Sequence, residues 1–248
     1  MDDTELLRYS RQIMLPEIDV SGQQKLKSAS VLVLGVGGLG SPVALYLAAS
    51  GIGTLVLADD DNVEISNLQR QIVHSQEAIS MNKARSAQLT LKRLSPSLET
   101  KLIQHRMNYN ELEDLIPSVN LVVDCSDNLE TRYLINEVCW KNKKPLISGA
   151  AIRWEGHLSM FDSSNPESPC YRCLYPNDID GENLSCSENG VASPLVGIIG
   201  TMQAMEAVKV LTEVGQSLIG KVMYYDAKQN DWKKFNLTRA PNCPICSN

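Results

Sequence analysis

A short leucine- and valine-rich run, residues 30–35, passes directly into Gly35-Val36-Gly37-Gly38-Leu39-Gly40, and residues 39–49 then have helical composition closed by Gly51. This strand–GxGxxG–helix order constrains the fold more than any other feature. The run is apolar almost throughout, as a parallel strand buried on both faces must be. Glycines belong where backbone amides approach a phosphate closely, and a helix N-terminus favours negative charge at the same point. Residues 54–58 read as a second strand ending in Asp59-Asp60-Asp61, which puts Asp59 where a carboxylate accepts hydrogen bonds from ribose hydroxyls. The motif predicts a nucleotide site built from Gly35, Gly37, Gly38, Gly40, Asp59 and Asp61. The competing reading is a tight turn with no ligand, and the glycines alone do not separate NAD, FAD and ATP.

The rest of the chain continues the pattern. Residues 83–94 form a helical stretch stopped by Ser95-Pro96, strands are expected at 102–105 and 121–124, a helix at about 128–141, and a fifth strand from 145. Short apolar strands alternating with longer helices indicate an α/β fold with a doubly wound, mostly parallel, Rossmann-like sheet. After residue 150 the pattern changes, and 157–161, 222–225 and 235–238 read as antiparallel strands that extend the sheet. The longest apolar stretch, 191–211, contains Pro194, Glu206 and Lys209 and reads as a buried segment leading into a helix, not a membrane span. One domain over 1–248 is expected, with residues 1–150 as its nucleotide-binding half.

Charge and cysteine usage exclude several classes. The net charge is −6 with no block of like charge, which argues against nucleic acid as a partner. The acidic N-terminus has no apolar run behind it and is not a secretory signal, so the chain reads as soluble and cytoplasmic. Seven cysteines, an odd number, do not suggest a disulfide framework. Four of them form two CxxC pairs, Cys170/Cys173 and Cys243/Cys246. Two such knuckles can present four thiolates to Zn²⁺ and leave no position for water, so the expected zinc is structural and ties the chain end to its middle. The rival, a redox dithiol, needs only one CxxC. Cys125 and Cys139 lie in strand-end and helix patterns and are expected in the core. Cys186, in a polar loop, is either an activated nucleophile or an inert thiol. His74, His105 and His157 carry no recognisable motif.

The remaining polar candidates follow the strand ends. Asn67, Arg70 and Lys83 supply side chains of the kind a triphosphate needs beyond backbone amides; otherwise they are polar residues on a loop and helix end. Asp127, in Asp124-Cys125-Ser126-Asp127-Asn128, is placed to hold Mg²⁺ between phosphates. The alternative is that Asp127 or Asn128 caps the next helix, and the two readings are compatible.

Taken together, Arg8-Tyr9-Ser10-Arg11-Gln12, GVGGLG at 35–40, ADDDNVEISNLQRQ at 58–71, Lys83, DCSDN at 124–128, SGAAIRWEG at 148–156, CYRCL at 170–174 and the closing CPIC resemble the ThiF/MoeB/HesA family, bacterial relatives of ubiquitin-activating enzymes. The resemblance covers essentially the whole chain. It implies an adenylyltransferase that uses ATP and Mg²⁺ to activate the C-terminal glycine carboxylate of a ubiquitin-fold sulfur-carrier protein, ThiS-like or MoaD-like, in thiamine or molybdopterin biosynthesis. It further implies that Asp59 holds the ribose, that Asn67, Arg70 and Lys83 steady the phosphates, and that Asp127, beside Asn128, takes Mg²⁺. Arg11 is implied to reach the site from the second subunit of a homodimer. Cys186 aligns with a cysteine thought to join the carrier covalently in some members. Residues 151–248 then form a carrier-binding and zinc half. The sequence shows no C-terminal rhodanese domain of the kind eukaryotic relatives carry, so sulfur is expected from a separate sulfurtransferase. Two other functions remain to be weighed: an NAD- or FAD-dependent oxidoreductase, and a non-catalytic module that binds a ubiquitin-fold protein.

Overall fold

The structure, a computed structural model, describes residues 1–176 and 189–247. Eight strands form one continuous sheet: β1 (Ser30–Leu34), β2 (Thr54–Ala58), β3 (Glu99–Ile103), β4 (Leu121–Asp124), β5 (Leu146–Ile152), β6 (Glu155–Phe161), β7 (Lys221–Asp226) and β8 (Asp231–Asn236). Their order across the sheet is β3-β2-β1-β4-β5-β6-β7-β8. The first five are parallel, and β5 to β8 continue the sheet as antiparallel neighbours. The change expected near residue 150 is therefore a change of strand direction within one sheet.

Successive side chains on β1 go to opposite faces, as strand geometry requires. Val31 and Val33 join a core with α3 (Gly40–Ala49), α4 (Lys83–Leu94) and the long helix α8 (Ser193–Thr212). Leu32 joins a second core with α5 (Tyr109–Leu115), α6 (Leu129–Lys141) and the short α7 (Tyr171–Leu174). Both faces of the parallel part are covered, which is why its inner strands β1 and β2 are almost continuously apolar. α8 is long and apolar enough to cross a membrane by length and composition alone. Its buried side, including Leu195, Ile199, Ala204 and Ala207, is part of the first core, which accounts for that composition.

Two further helices, α1 (Asp3–Ile13) and α2 (Asp19–Ser28), precede the sheet. α2 and α5 are not apparent in the apolar pattern. α2 buries Gln23 instead of a stripe of leucines: its amide bonds Gln12 and the Ser50 carbonyl. α5 is signalled by a capping box, in which Asn108 and Glu111 each bond the other's backbone N–H. Two strand positions expected from sequence are shifted. β3 runs Glu99–Ile103, not 102–105, and β8 runs Asp231–Asn236, not 235–238. Both are edge strands carrying charged residues, which dilutes the periodic signal.

Candidate functional site at the switch point of the sheet

The chain leaves β1 for β2 on one side and returns to β4 on the other, so a crevice opens at the carboxyl ends of β1 and β4. Such a switch point is where open α/β sheets bind ligands. Register brings the expected residues to this edge: Leu34 pairs with Ala58 and with Asp124, so Gly35, Asp59 and the Ser126–Asn128 segment emerge side by side.

The glycine turn is shaped by contact distance. Gly35 is in the left-handed region at φ 86°, and a Cβ there would stand 2.7 Å from the Cys125 carbonyl oxygen. A Cβ on Gly40 would fall 1.9 Å from the Gly35 carbonyl oxygen. Both residues are required by packing, whatever binds. Gly37 differs: a Cβ would meet nothing closer than Gln71 Nε2 at 3.5 Å, so packing does not demand a glycine. No side chain caps α3, so its amide end and dipole are left to an anion.

Asp59 is anchored by its own neighbours. One carboxylate oxygen accepts from the Val36 N–H at 2.7 Å, the other from the Asp61 N–H at 3.0 Å. Burial raises its pKa, and the Lys83 charge and these amide bonds oppose that shift. Lys83 is buried at the first turn of α4, with Nζ 2.7 Å from the exposed Asp61 carboxylate. Asn67 is buried and accepts from the Glu64 N–H, while Arg70 Nη1 donates to the Ser66 carbonyl at 3.1 Å. Gln71, only 4% exposed, has a side-chain amide oxygen with no hydrogen-bond partner among the described residues. An open amide turn and a buried lysine fit a polyphosphate ligand, while the unpartnered Gln71 oxygen, an acceptor, calls for a hydrogen-bond donor such as a ligand hydroxyl.

The opposite rim is the segment after β4. Asn128 caps α6 by accepting from the Thr131 N–H at 2.9 Å, which resolves the capping alternative in its favour. Asp127 stays exposed, accepts from Asn128 Nδ2 at 3.5 Å, and is available to a cation. Beneath it lies a buried network that sequence reasoning missed. Arg132 donates to the carbonyls of Ser126 and Gly149 and to Ser148 Oγ. Ser148 Oγ donates to Asp124, and Gln203 Nε2 donates to the Asp124 carbonyl at 2.7 Å. The only sequence signal is four residues on: Arg132 lies one turn after the Asn128 cap.

His74, to which no motif assigned a role, sits behind the glycine turn. Its Nε2 donates to the Val36 carbonyl at 3.0 Å and its Nδ1 is 2.9 Å from Ser86 Oγ. Since a carbonyl only accepts, the proton is on Nε2.

Arg11 lies elsewhere. α1 packs along the far ends of the helices that begin at the site: Gln12 reaches the Ser50 carbonyl beyond α3, and Arg8 the Leu94 carbonyl at the end of α4. Those helices are about 15 and 18 Å long, so Arg11 does not meet the crevice of its own chain. Cys186 lies outside the described residues. Cys125 and Cys139 are buried, as expected, and burial pushes the Cys139 and Cys125 thiols far up.

The second cluster is made by Cys170, Cys173, Cys243 and Cys246, whose sulfurs all lie within 4.8 Å of one another. Cys170 Sγ is 3.5 Å from Cys243 Sγ and Cys173 Sγ is 3.3 Å from Cys246 Sγ, far beyond a disulfide bond of about 2.05 Å. Four thiolates at about 2.3 Å from a tetrahedral ion stand roughly 3.8 Å apart, so the set suits a metal. Burial and crowding push the Cys170 thiol up to about 12, a cost that a bound cation reverses.

Fold and crevice together define a doubly wound α/β protein with a phosphate-type switch-point site and a cysteine-clamped C-terminal end. The chain belongs to the ThiF family, whose model matches residues 9–245. It is 43% identical over 246 residues to the sulfur carrier protein ThiS adenylyltransferase of Escherichia coli K12, covering 99% of this chain and 97% of that protein. It is 45% identical over 247 residues to the molybdopterin-synthase adenylyltransferase of Salmonella typhimurium, covering 99% and 98%. The crystal structure of E. coli MccB with ATP shares the fold at a TM-score of 0.85 and 24% identity, over 97% of this chain and 75% of that one.

Burial lowers the His74 imidazole from 6.5 to about 4, against the Val36 bond and with help from the Lys83 charge. Between those values the unfolded chain binds a proton that the native ring refuses. Stability is therefore complete above about pH 6.5 and declines as pH falls toward 4. His74→Gln, which does not titrate, should flatten that part of the curve when urea midpoints are compared between about pH 4 and pH 7. An unchanged slope would assign the decline to other groups.

Proposed function

We propose that this chain is an adenylyltransferase that activates the C-terminal carboxylate of a ubiquitin-fold sulfur-carrier protein, ThiS-like or MoaD-like. The observation that carries the reading is the buried Lys83, paired with Asp61 and close enough for its charge to act on Asp59 at the switch point, in a chain 43–45% identical end to end to two such adenylyltransferases. A dinucleotide site built on backbone amides has no use for a cation at that depth.

In this reading a carboxylate oxygen of the carrier attacks the α-phosphorus of ATP, the bond from that phosphorus to the bridging oxygen breaks, and pyrophosphate leaves with the electron pair. The product is an acyl-adenylate, which a separate sulfurtransferase can then supply with sulfur. Asp59 accepts from the ribose hydroxyls. Lys83, released from Asp61, joins Asn67 and Arg70 in stabilising the negative charge that shifts onto the departing phosphates. Asp127 would hold Mg²⁺, which would neutralise phosphate charge, with Asn128 beside it at the nucleotide. The four cysteines would hold Zn²⁺ as a structural ion. Residues 1–150 bind nucleotide, residues 151–248 bind the carrier and carry the metal clamp, and Cys186 is the candidate for covalent attachment of the carrier. Arg11 serves the crevice of a second copy, since its position excludes its own. The enzyme would work in the cytoplasm, where the cysteines stay reduced.

Purified protein should exchange labelled pyrophosphate into ATP only when a ThiS-like or MoaD-like carrier is present. Lys83→Ala and Asp127→Ala should each reduce exchange by at least about a hundredfold without unfolding the chain. Carrier binding that ignores ATP, with no exchange, would mean a binding module; NAD or FAD binding would mean an oxidoreductase. A second assay addresses the dimer: Arg11→Ala and Lys83→Ala, each inactive alone, should regain about a quarter of wild-type activity when mixed, because half the dimers then hold one intact site. No recovery after subunit exchange would place Arg11 outside the chemistry. Elemental analysis should find about one zinc per chain, lost in Cys243→Ser; a metal-free, fully folded wild type would remove the clamp.

A further inference from the structure

The glycine turn has two pinned carbonyls. The Val36 carbonyl accepts from His74 Nε2 at 3.0 Å, and the next carbonyl, Gly37, accepts from the Ser41 N–H at 2.9 Å and from Ser41 Oγ at 2.6 Å. His74 and Ser41 are buried, as is Val36. A trans peptide is planar, with its C=O and N–H pointing in opposite directions. Drawing the Val36 carbonyl inward to His74 therefore turns the Gly37 N–H away from the interior, and drawing the Gly37 carbonyl toward Ser41 does the same to the Gly38 N–H. Gly37 and Gly38 are the half-exposed members of a turn whose neighbours Val36 and Leu39 are buried. Two consecutive outward amides form an anion-binding concavity.

The first of these constraints has a longer reach. The Val36 N–H is held by Asp59 while its carbonyl is held by His74, so both peptide planes of Val36 are fixed from opposite ends. The imidazole is itself held in one tautomer: Ser86 Oγ, 2.9 Å from Nδ1, donates to that nitrogen and leaves the proton on Nε2. Nearby, the Gln71 side-chain oxygen, an acceptor with no partner among the described residues, leaves the same corner of the crevice open to a ligand's hydrogen-bond donor.

We infer that His74 is a positioning residue of the nucleotide site: locked by Ser86, it holds the Val36 carbonyl so that the Gly37 amide is aimed at a phosphate before ATP arrives. This rests on the reading that the crevice binds ATP. His74 touches neither substrate nor reacting atoms; it acts through the Val36–Gly37 peptide. A ring that served only as filler would be replaceable by any side chain of similar volume, whereas a carbonyl donor is replaceable only by another donor.

The test compares His74→Leu, which fills the space without donating, with His74→Gln, whose amide nitrogen can take the place of Nε2. ATP dissociation constants are measured by calorimetry, and KM for ATP and kcat by carrier-dependent pyrophosphate exchange. His74→Leu should weaken ATP binding and raise KM by about tenfold, the effect of leaving one buried acceptor unpaired, with kcat at saturating ATP changed by less than about threefold. His74→Gln should stay within about threefold of wild type. Ser86→Ala, which frees the tautomer but keeps the ring, should weaken binding by a few-fold, and it decides the matter if His74→Leu does not fold. Wild-type affinity in His74→Leu, equal losses in the Leu and Gln variants, or wild-type affinity in Ser86→Ala where it must decide would each overturn the inference while leaving the adenylyltransferase reading in place. Failure of the wild type to bind ATP would overturn both.

Discussion

The contact on which the site depends is between two glycines. Gly40 passes so close to the carbonyl of Gly35 that a methyl group could not be interposed. Only this approach lets α3 start immediately at the sheet edge, with its N-terminal amides at the end of β1. The cost in chain entropy that glycines bring is offset by anchoring on all sides: Asp59 takes the Val36 N–H, His74 the Val36 carbonyl, and Ser41 the Gly37 carbonyl. The turn is flexible by composition and rigid by context.

The other rim is built on an opposite principle. Between β4 and α6 the chain carries no glycine, and its path is set by a buried ion pair, Arg132 with Asp124, 3.7 Å apart and closed by Ser148 and Gln203. A buried pair is weak evidence for net stability, because desolvating both charges costs about what their attraction returns. What it supplies is direction. Arg132 gathers the carbonyls of Ser126 and Gly149, so the one carboxylate left outside the network is Asp127, at the crevice. Apolar packing could not have selected one acid out of two in Asp124-Cys125-Ser126-Asp127 for burial and the other for exposure.

The antiparallel extension and the cysteine cluster form a third element. β8 is exposed along its whole length and leads to the chain end, where Cys243 and Cys246 turn back against Cys170, Cys173 and Trp140 of α6. Arg239 reinforces the return by donating from two nitrogens to the Ser168 carbonyl. With so little apolar area in this segment, four sulfurs in one pocket are its principal anchor.

Periodicity and glycine placement alone determine the doubly wound sheet, the helices at 83–94 and about 128–141, the turn at 35–40, and the acid at 59, because each is a local property of a few consecutive residues. The two CxxC pairs declare a metal-type cluster for the same reason: the chemistry is in the spacing. Helix α2 escaped because its buried face is made of Gly22, Gln23 and a single leucine, Leu26, too few apolar positions for a stripe, and β3 and β8 blurred because edge strands carry charge. Sequence could name Asp127 and Asn128 together but could not say which one caps α6. Only the tertiary structure decides that Lys83 rests on Asp61, that Arg132 ties the rim to Ser148 and Gly149 while Gln203 reaches it from far along the chain, that Arg11 stands at the far ends of α3 and α4, and that an unremarked histidine lies under the glycine turn. Each of these is a contact between segments distant in sequence, and no local pattern encodes which distant partner a polar side chain will meet once the sheet has closed around it.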